Sequence, residues 1–205
     1  SGTAQAATGD VYVASGDSLN SGVSGTVVLS SGTAASASST GSVRLGSGWA
    51  TSGGTGEMVL STGTTVSGTS GDVQVASGKV TTKGDSGVVL MSSGDAVTGS
   101  SGAVTVASGL SGTSGNSGYL LLSTGTSNTG DSGDVVVGTG AVTTGTAGSV
   151  SITAGSSTTQ VGADVFIAAG LSTNTAKAGG VVSIASGVGG LDSGAVTVRS
   201  ANVAK

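Results

Sequence analysis

A glycine-led unit of about fifteen residues recurs thirteen times along the chain, and alternate copies differ. The unit reads roughly Ser-Gly-x-Val-x-Val-x-Ser-Gly, followed by a loose run of Ser, Thr, Ala and Gly. Its leading position falls at Gly9, Gly25, Gly41, Gly56, Gly71, Gly87, Gly102, Gly118, Gly133, Gly148, Ala163, Gly180 and Gly194. A unit this short cannot bury an apolar face alone, so fixed-period self-similarity implies stacking of each copy on its neighbours.

Odd units (A) and even units (B) differ in three columns. Four residues after the leader, position +4, the A units carry Val13, Leu45, Val75, Val106, Val137, Ile167 and Val198. The B units carry Leu29, Leu60, Met91, Leu122, Ile152 and Ile184 there. Position +1 is often Asp in A (Asp10, Asp72, Asp134, Asp164) but Thr26, Glu57, Val88, Tyr119, Ser149 or Val181 in B. Position +5 is mostly Ala or Gly in A and mostly Ser in B. Like residues therefore return every 30 to 32 residues. A coil of one A and one B would stack like on like; a one-unit coil would interleave the classes down every column.

The alternation within a unit has period two, the pattern of a strand with one covered face. Val, Ile and Leu at +2 and +4 suit a pleated surface, and Gly at the ends of each run suits tight corners. The A and B strands are expected to face each other across about 10 Å, and six and a half coils at about 4.8 Å each make a segment roughly 30 Å long. The expected fold is a flattened parallel β-solenoid (β-helix), all-β, with about 31 residues per coil, spanning 1–205 as one uncapped repeat domain. The 41 glycines and the lack of a 3.6-residue period disfavour helix.

Composition removes several function classes. Only 8% of residues are charged, yet apolar columns in strict register are not a feature of disordered segments. A net charge of −4 without basic clusters weighs against nucleic acid and anionic membrane surfaces. No apolar run approaches the ~20 residues of a membrane helix, so no membrane insertion is expected. The chain has no Cys, which excludes disulfides and thiolate metal sites. With no initiator Met and no signal peptide, it reads as a mature chain or an excerpt. No Asn lies in an Asn-x-Ser/Thr sequon, while the many Ser and Thr could accept O-linked glycans.

Catalytic chemistry finds little support. The chain has no His, which removes the usual general base and the commonest metal ligand. The six cations, Arg44, Lys79, Lys83, Lys177, Arg199 and Lys205, are scattered, and Lys83 with Asp85 is expected as an exposed ion pair of small worth. Gly-x-Gly strings such as Gly138-Thr139-Gly140 lack the context of a phosphate loop. Asp134 and Asp164 would lie on adjacent coils about 4.8 Å apart, a spacing that two carboxylates can share with calcium. The Gly-Gly-x-Gly-x-Asp repeat of calcium-binding β-rolls is missing, however, and solubility or edge protection explains the column more simply. Trp49 is expected to pack against its corner. No catalytic residue, cofactor site or metal site is assigned.

Position +3, outward on a strand whose +2 and +4 face in, is more informative. On B it reads Val28, Val59, Leu90 and Leu121, joined by Val88 and Tyr119 at +1, and then turns polar at Ser151 and Ser183. On A it is mostly polar until Val136 and Phe166. Strand propensity alone could fill these slots. A contiguous column at a 31-residue pitch is, however, a patch, and Val28, Val59, Val88, Leu90, Tyr119, Leu121, Val136 and Phe166 form the expected lateral interface. The change of face near residue 136 suits a staggered assembly.

Segments such as Ser70-Gly71-Asp72-Val73-Gln74-Val75-Ala76-Ser77-Gly78 resemble those of extracellular Gly/Ser/Thr-rich β-solenoid proteins, the fibre and adhesin-stalk class of microbial and algal surfaces. The resemblance is one of architecture and composition along the whole chain. It implies a structural protein at the cell surface or outside the cell. The expected partner is the chain itself, a homopolymer built end to end and laterally, because no capping element covers either end of the pattern. An ice-binding solenoid is the alternative, though outward threonines such as Thr105 and Thr197 form no unbroken Thr-x-Thr face. A polysaccharide-processing β-helix would need clustered carboxylates, cations and aromatics that the repeats do not supply.

Overall fold

A computed structural model describes residues 8–19, 21–35 and 38–200, and among these there is neither helix nor strand. The unit is nevertheless plainly visible in the backbone. Between residues 51 and 160 the chain bends once per unit, at 51–53, 66–68, 81–84, 97–99, 113–115, 128–130, 143–145 and 158–160. Each bend falls ten to thirteen residues after a leader, in the Ser/Thr/Gly stretch where small side chains and glycine favour a reversal. The segment from the leader to +6 carries no turn or bend among the described residues.

Contacts group within two units, Ser1–Val104 and Thr105–Lys205. In Ser1–Val104 the chain returns after each bend so that a leading glycine meets the +6 side chain of the preceding copy. The pairs are Ser15 with Gly25, Ser31 with Gly41, Ser47 with Gly56, Thr62 with Gly71, Ser77 with Gly87 and Ser93 with Gly102. A Cβ built on these glycines would stand 3.3–4.0 Å from that side chain. The bends here close on a glycine in the left-handed region, such as Gly68 at φ 110°, which an L side chain rarely adopts. Thr65 Oγ1 donates to the Ser67 carbonyl at 2.9 Å within the same bend.

In Thr105–Lys205 the same necks recur at Ser108 with Gly118, Thr124 with Gly133 and Thr139 with Gly148. The last three are closed by the main chain instead. The Ala163 N–H donates to the Gly155 carbonyl at 3.1 Å, Gly180 N–H to Gly170 at 2.9 Å, and Gly194 N–H to Gly187 at 2.9 Å. Hydroxyls and one amide side chain hold the bends: Gly130 N–H donates to Ser127 Oγ at 3.0 Å, Gln160 N–H to Ser157 Oγ at 2.9 Å, and Ala176 N–H to Asn174 Oδ1 at 2.9 Å. Gly189 is required by close approach, since a Cβ there would run into the Asp192 carbonyl oxygen.

These necks overturn the expected β-solenoid. A parallel coil needs like positions of successive coils about 4.8 Å apart, joined by a ladder of main-chain hydrogen bonds. The backbone–backbone hydrogen bonds formed are the three necks and Lys177 N–H to the Asn174 carbonyl, and none of them joins like positions of successive coils. The backbone period is the single unit, not the A–B pair of about 31 residues. Loop closure gives a physical reason: closing about nine residues costs ~1 kcal/mol less entropy than closing about thirty-one. Each unit therefore turns back on its own end, and the A and B segments do not become opposed sheets.

Surface area shows what the local closure leaves undone. The accessible surface is 20262 Å² for 18.6 kDa. A folded protein of that mass exposes about 8,200 Å² and its unfolded chain about 27,000 Å². No described residue is buried, and no hydrophobic core forms among them.

Candidate interaction surface

Period-two alternation survives as a graded exposure. The apolar side chain at +2 is about half covered in most units, as at Val43 (49%), Val104 (52%) and Val182 (48%). Position +4, expected to face inward, is more open: Leu45, Leu60, Leu122 and Ile152 are all above 70% exposed. Only one of the two expected inward columns is therefore sheltered at all. The reason lies in the neck, which draws in +6 and leaves +4 without an opposing sheet.

The best-covered side chains are small. Ser15, Ser31, Ser93, Ala154 and Ser186, all at +6, are partly covered, as are Ala50, Ser111 and Ser172 at +9. Position +9 also supplies the bend-holding hydroxyls Thr65, Ser127 and Ser157, and it carries Val80, the most sheltered large apolar residue at 42% exposure. Neither column belongs to the expected inward set at +2 and +4. The signal for +6 was present, because the closing Ser or Thr of the unit recurs almost as regularly as the leading Gly.

All eight residues of the expected lateral interface are exposed, from Val59 at 69% to Val88 at 91%. They lie at +1 or +3 of their units, so each stands one residue from a half-covered +2 side chain. Trp49 is also exposed, at 87%, and does not pack into its corner as expected, because no neighbouring apolar surface converges there. Lys83 and Asp85 flank Gly84 at a bend and make no ion pair. Without a stacked ladder, the 4.8 Å spacing expected between Asp134 and Asp164 has no structural basis. Among the described residues no group of three or more His, Cys, Asp or Glu side chains is gathered for a metal ion, and no pocket forms.

Compared with known protein families, curated proteins and solved structures, the chain matches none.

The surface must therefore be read from its own chemistry. It is a periodic array of Val, Leu, Ile and occasional aromatic side chains, spaced by the 15–16-residue unit and separated by Ser/Thr/Gly bends. No helix among the described residues is long and apolar enough to cross a membrane. Such an array offers no convergent polar groups to a small molecule. It offers repeated, chemically similar contacts to another extended apolar surface.

Proposed function

We propose that this chain is a non-enzymatic structural protein, one copy in a self-associating fibre at the cell surface or outside the cell, held together laterally through its apolar columns. One observation carries the reading: large apolar side chains stand exposed at fixed pitch through every described unit, with Leu90 at 84% and Leu121 at 71%. Val, Leu and Ile side chains left in water favour association with another apolar surface. End-to-end joining by coil stacking has no place in this reading, since there is no coil to extend. Glycans O-linked to the abundant Ser and Thr are compatible with it and would sit on the bends.

The test is a double substitution, Leu90→Lys with Leu121→Lys, followed by negative-stain electron microscopy and sedimentation over a dilution series. Because both residues are exposed, each change alters the single chain by no more than about ±0.5 kcal/mol. The unsubstituted chain is expected to polymerise with rising concentration, and the double variant to stay dispersed. Polymerisation unchanged by both lysines would overturn the lateral apolar interface.

A further inference from the structure

We infer that the main chain itself is the second contact between copies: each bend-free segment from a leader to +6 pairs by backbone hydrogen bonds with the equivalent segment of another copy, offset by whole units. This rests on the self-association proposed above and specifies its chemistry. Four observations lead to it.

The first is an accounting of donors and acceptors. Main-chain N–H and C=O groups at +1 to +5, such as those of Asp72, Val73, Gln74, Val75 and Ala76, make no hydrogen bond to protein in any described unit. Every main-chain bond falls elsewhere, at the necks or the bends. A segment with both edges open is a template for pairing with another chain.

The second is the sparseness of the devices that normally blunt such an edge. Natural edge strands carry Pro, Lys or an inward charge. This chain has no Pro, and its charges at +1 to +5 are Arg44, Arg199, Glu57 and the four aspartates Asp10, Asp72, Asp134 and Asp164, at most one in a unit and none in six of the thirteen. Val, Ile and Leu fill these positions instead, and they favour pairing.

The third is area. The surface of 20262 Å² exceeds that of an ordinary folded protein of this mass by about 12,000 Å². A stable interface needs only 1,600 ± 400 Å², roughly speaking. Contact with several copies is thus needed before the chain is covered like a folded protein.

The fourth identifies the occupant. The segments recur every 15–16 residues through most of the chain, and another copy offers an edge of the same pitch and composition. A net charge of −4 spread over 205 residues gives little repulsion between copies. Offsets by whole units are heterologous contacts that do not close, so they propagate into a filament rather than stopping at a dimer. The half-covered +2 side chains then shelter on one face of the paired segments, and the +3 column remains for lateral packing.

The experiment is amide hydrogen exchange of the full chain, read by mass spectrometry in the dilute and the concentrated, assembled states. In the assembled state, amides of 72–76, 88–92, 103–107, 119–123 and 134–138 should slow on the order of a hundredfold. The bends 81–84, 113–115 and 143–145 should stay fast, giving protection with the period of the unit. Val73→Pro with Val104→Pro removes two of the pairing N–H groups while keeping apolar side chains, and should raise the concentration needed for assembly by about tenfold. Thr82→Pro, in a bend, should not. Assembly with uniform or absent protection, or indifferent to the segment prolines, overturns main-chain pairing and leaves lateral apolar association standing. A chain that stays dispersed at every concentration overturns both.

Discussion

Dilute chain should unfold in urea without a steep transition, and the expected slope can be worked from surface area. The structure exposes 20262 Å², leaving about 6,700 Å² to be exposed before the chain reaches the ~27,000 Å² of its unfolded state. A globular protein of equal mass would expose about 18,700 Å² on unfolding. Because the urea dependence of stability scales with the area exposed, the slope should be about a third of the ordinary value for this mass. The assay is far-UV circular dichroism against urea, at concentrations low enough to keep copies apart. Trp49 gives a second probe: at 87% exposure, its emission and its quenching by acrylamide should barely change across the titration. A sharp sigmoidal transition with the full slope of a folded protein, accompanied by a shift in Trp49 emission, would mean a buried core and would refute the reasoning.

Two local perturbations probe the bends. Ser127→Ala and Ser157→Ala remove the acceptors of the Gly130 and Gln160 N–H groups. In these exposed settings each loss should be about 0.5 kcal/mol, seen as a two- to threefold faster exchange of that one amide. Gly68→Ala places a Cβ at φ 110° and should distort the bend at a cost of about 1 kcal/mol, whereas Gly63→Ala, with open space around it, should be silent; backbone chemical shifts of residues 64–70 report both.

Particular residues show how far the repeat could be read in advance. The recurrence of the unit and the corners in its Ser/Thr/Gly stretches were legible, because glycine and Ser/Thr clusters act through local sterics, whereas the strand expected between Gly71 and Ser77 does not form. The preference of +2 for the sheltered side was legible too, as at Val104. Shelter at +4 was not, because it required a facing sheet that does not exist. Nor was the Ser77–Gly87 neck, since two small residues ten positions apart give no periodic apolar signal. The expected interface residues, among them Leu90 and Phe166, are exposed, but so is every other large apolar side chain among the described residues, and exposure does not single them out.

The sequence by itself determined what each fifteen-residue unit does locally: run without a bend, turn on Ser, Thr and Gly, and begin again at the next leader. It also left the chain without His or Cys. Only the tertiary structure decided where the chain goes after each bend. The A and B columns are equally compatible with a 31-residue coil and with single units that return to their own ends, because side-chain alternation records the face of a residue and not the partner across from it. The choice between them is made by loop closure and by the fit of a small +6 side chain against a leading glycine. That choice leaves the apolar columns and the main-chain edges facing outward.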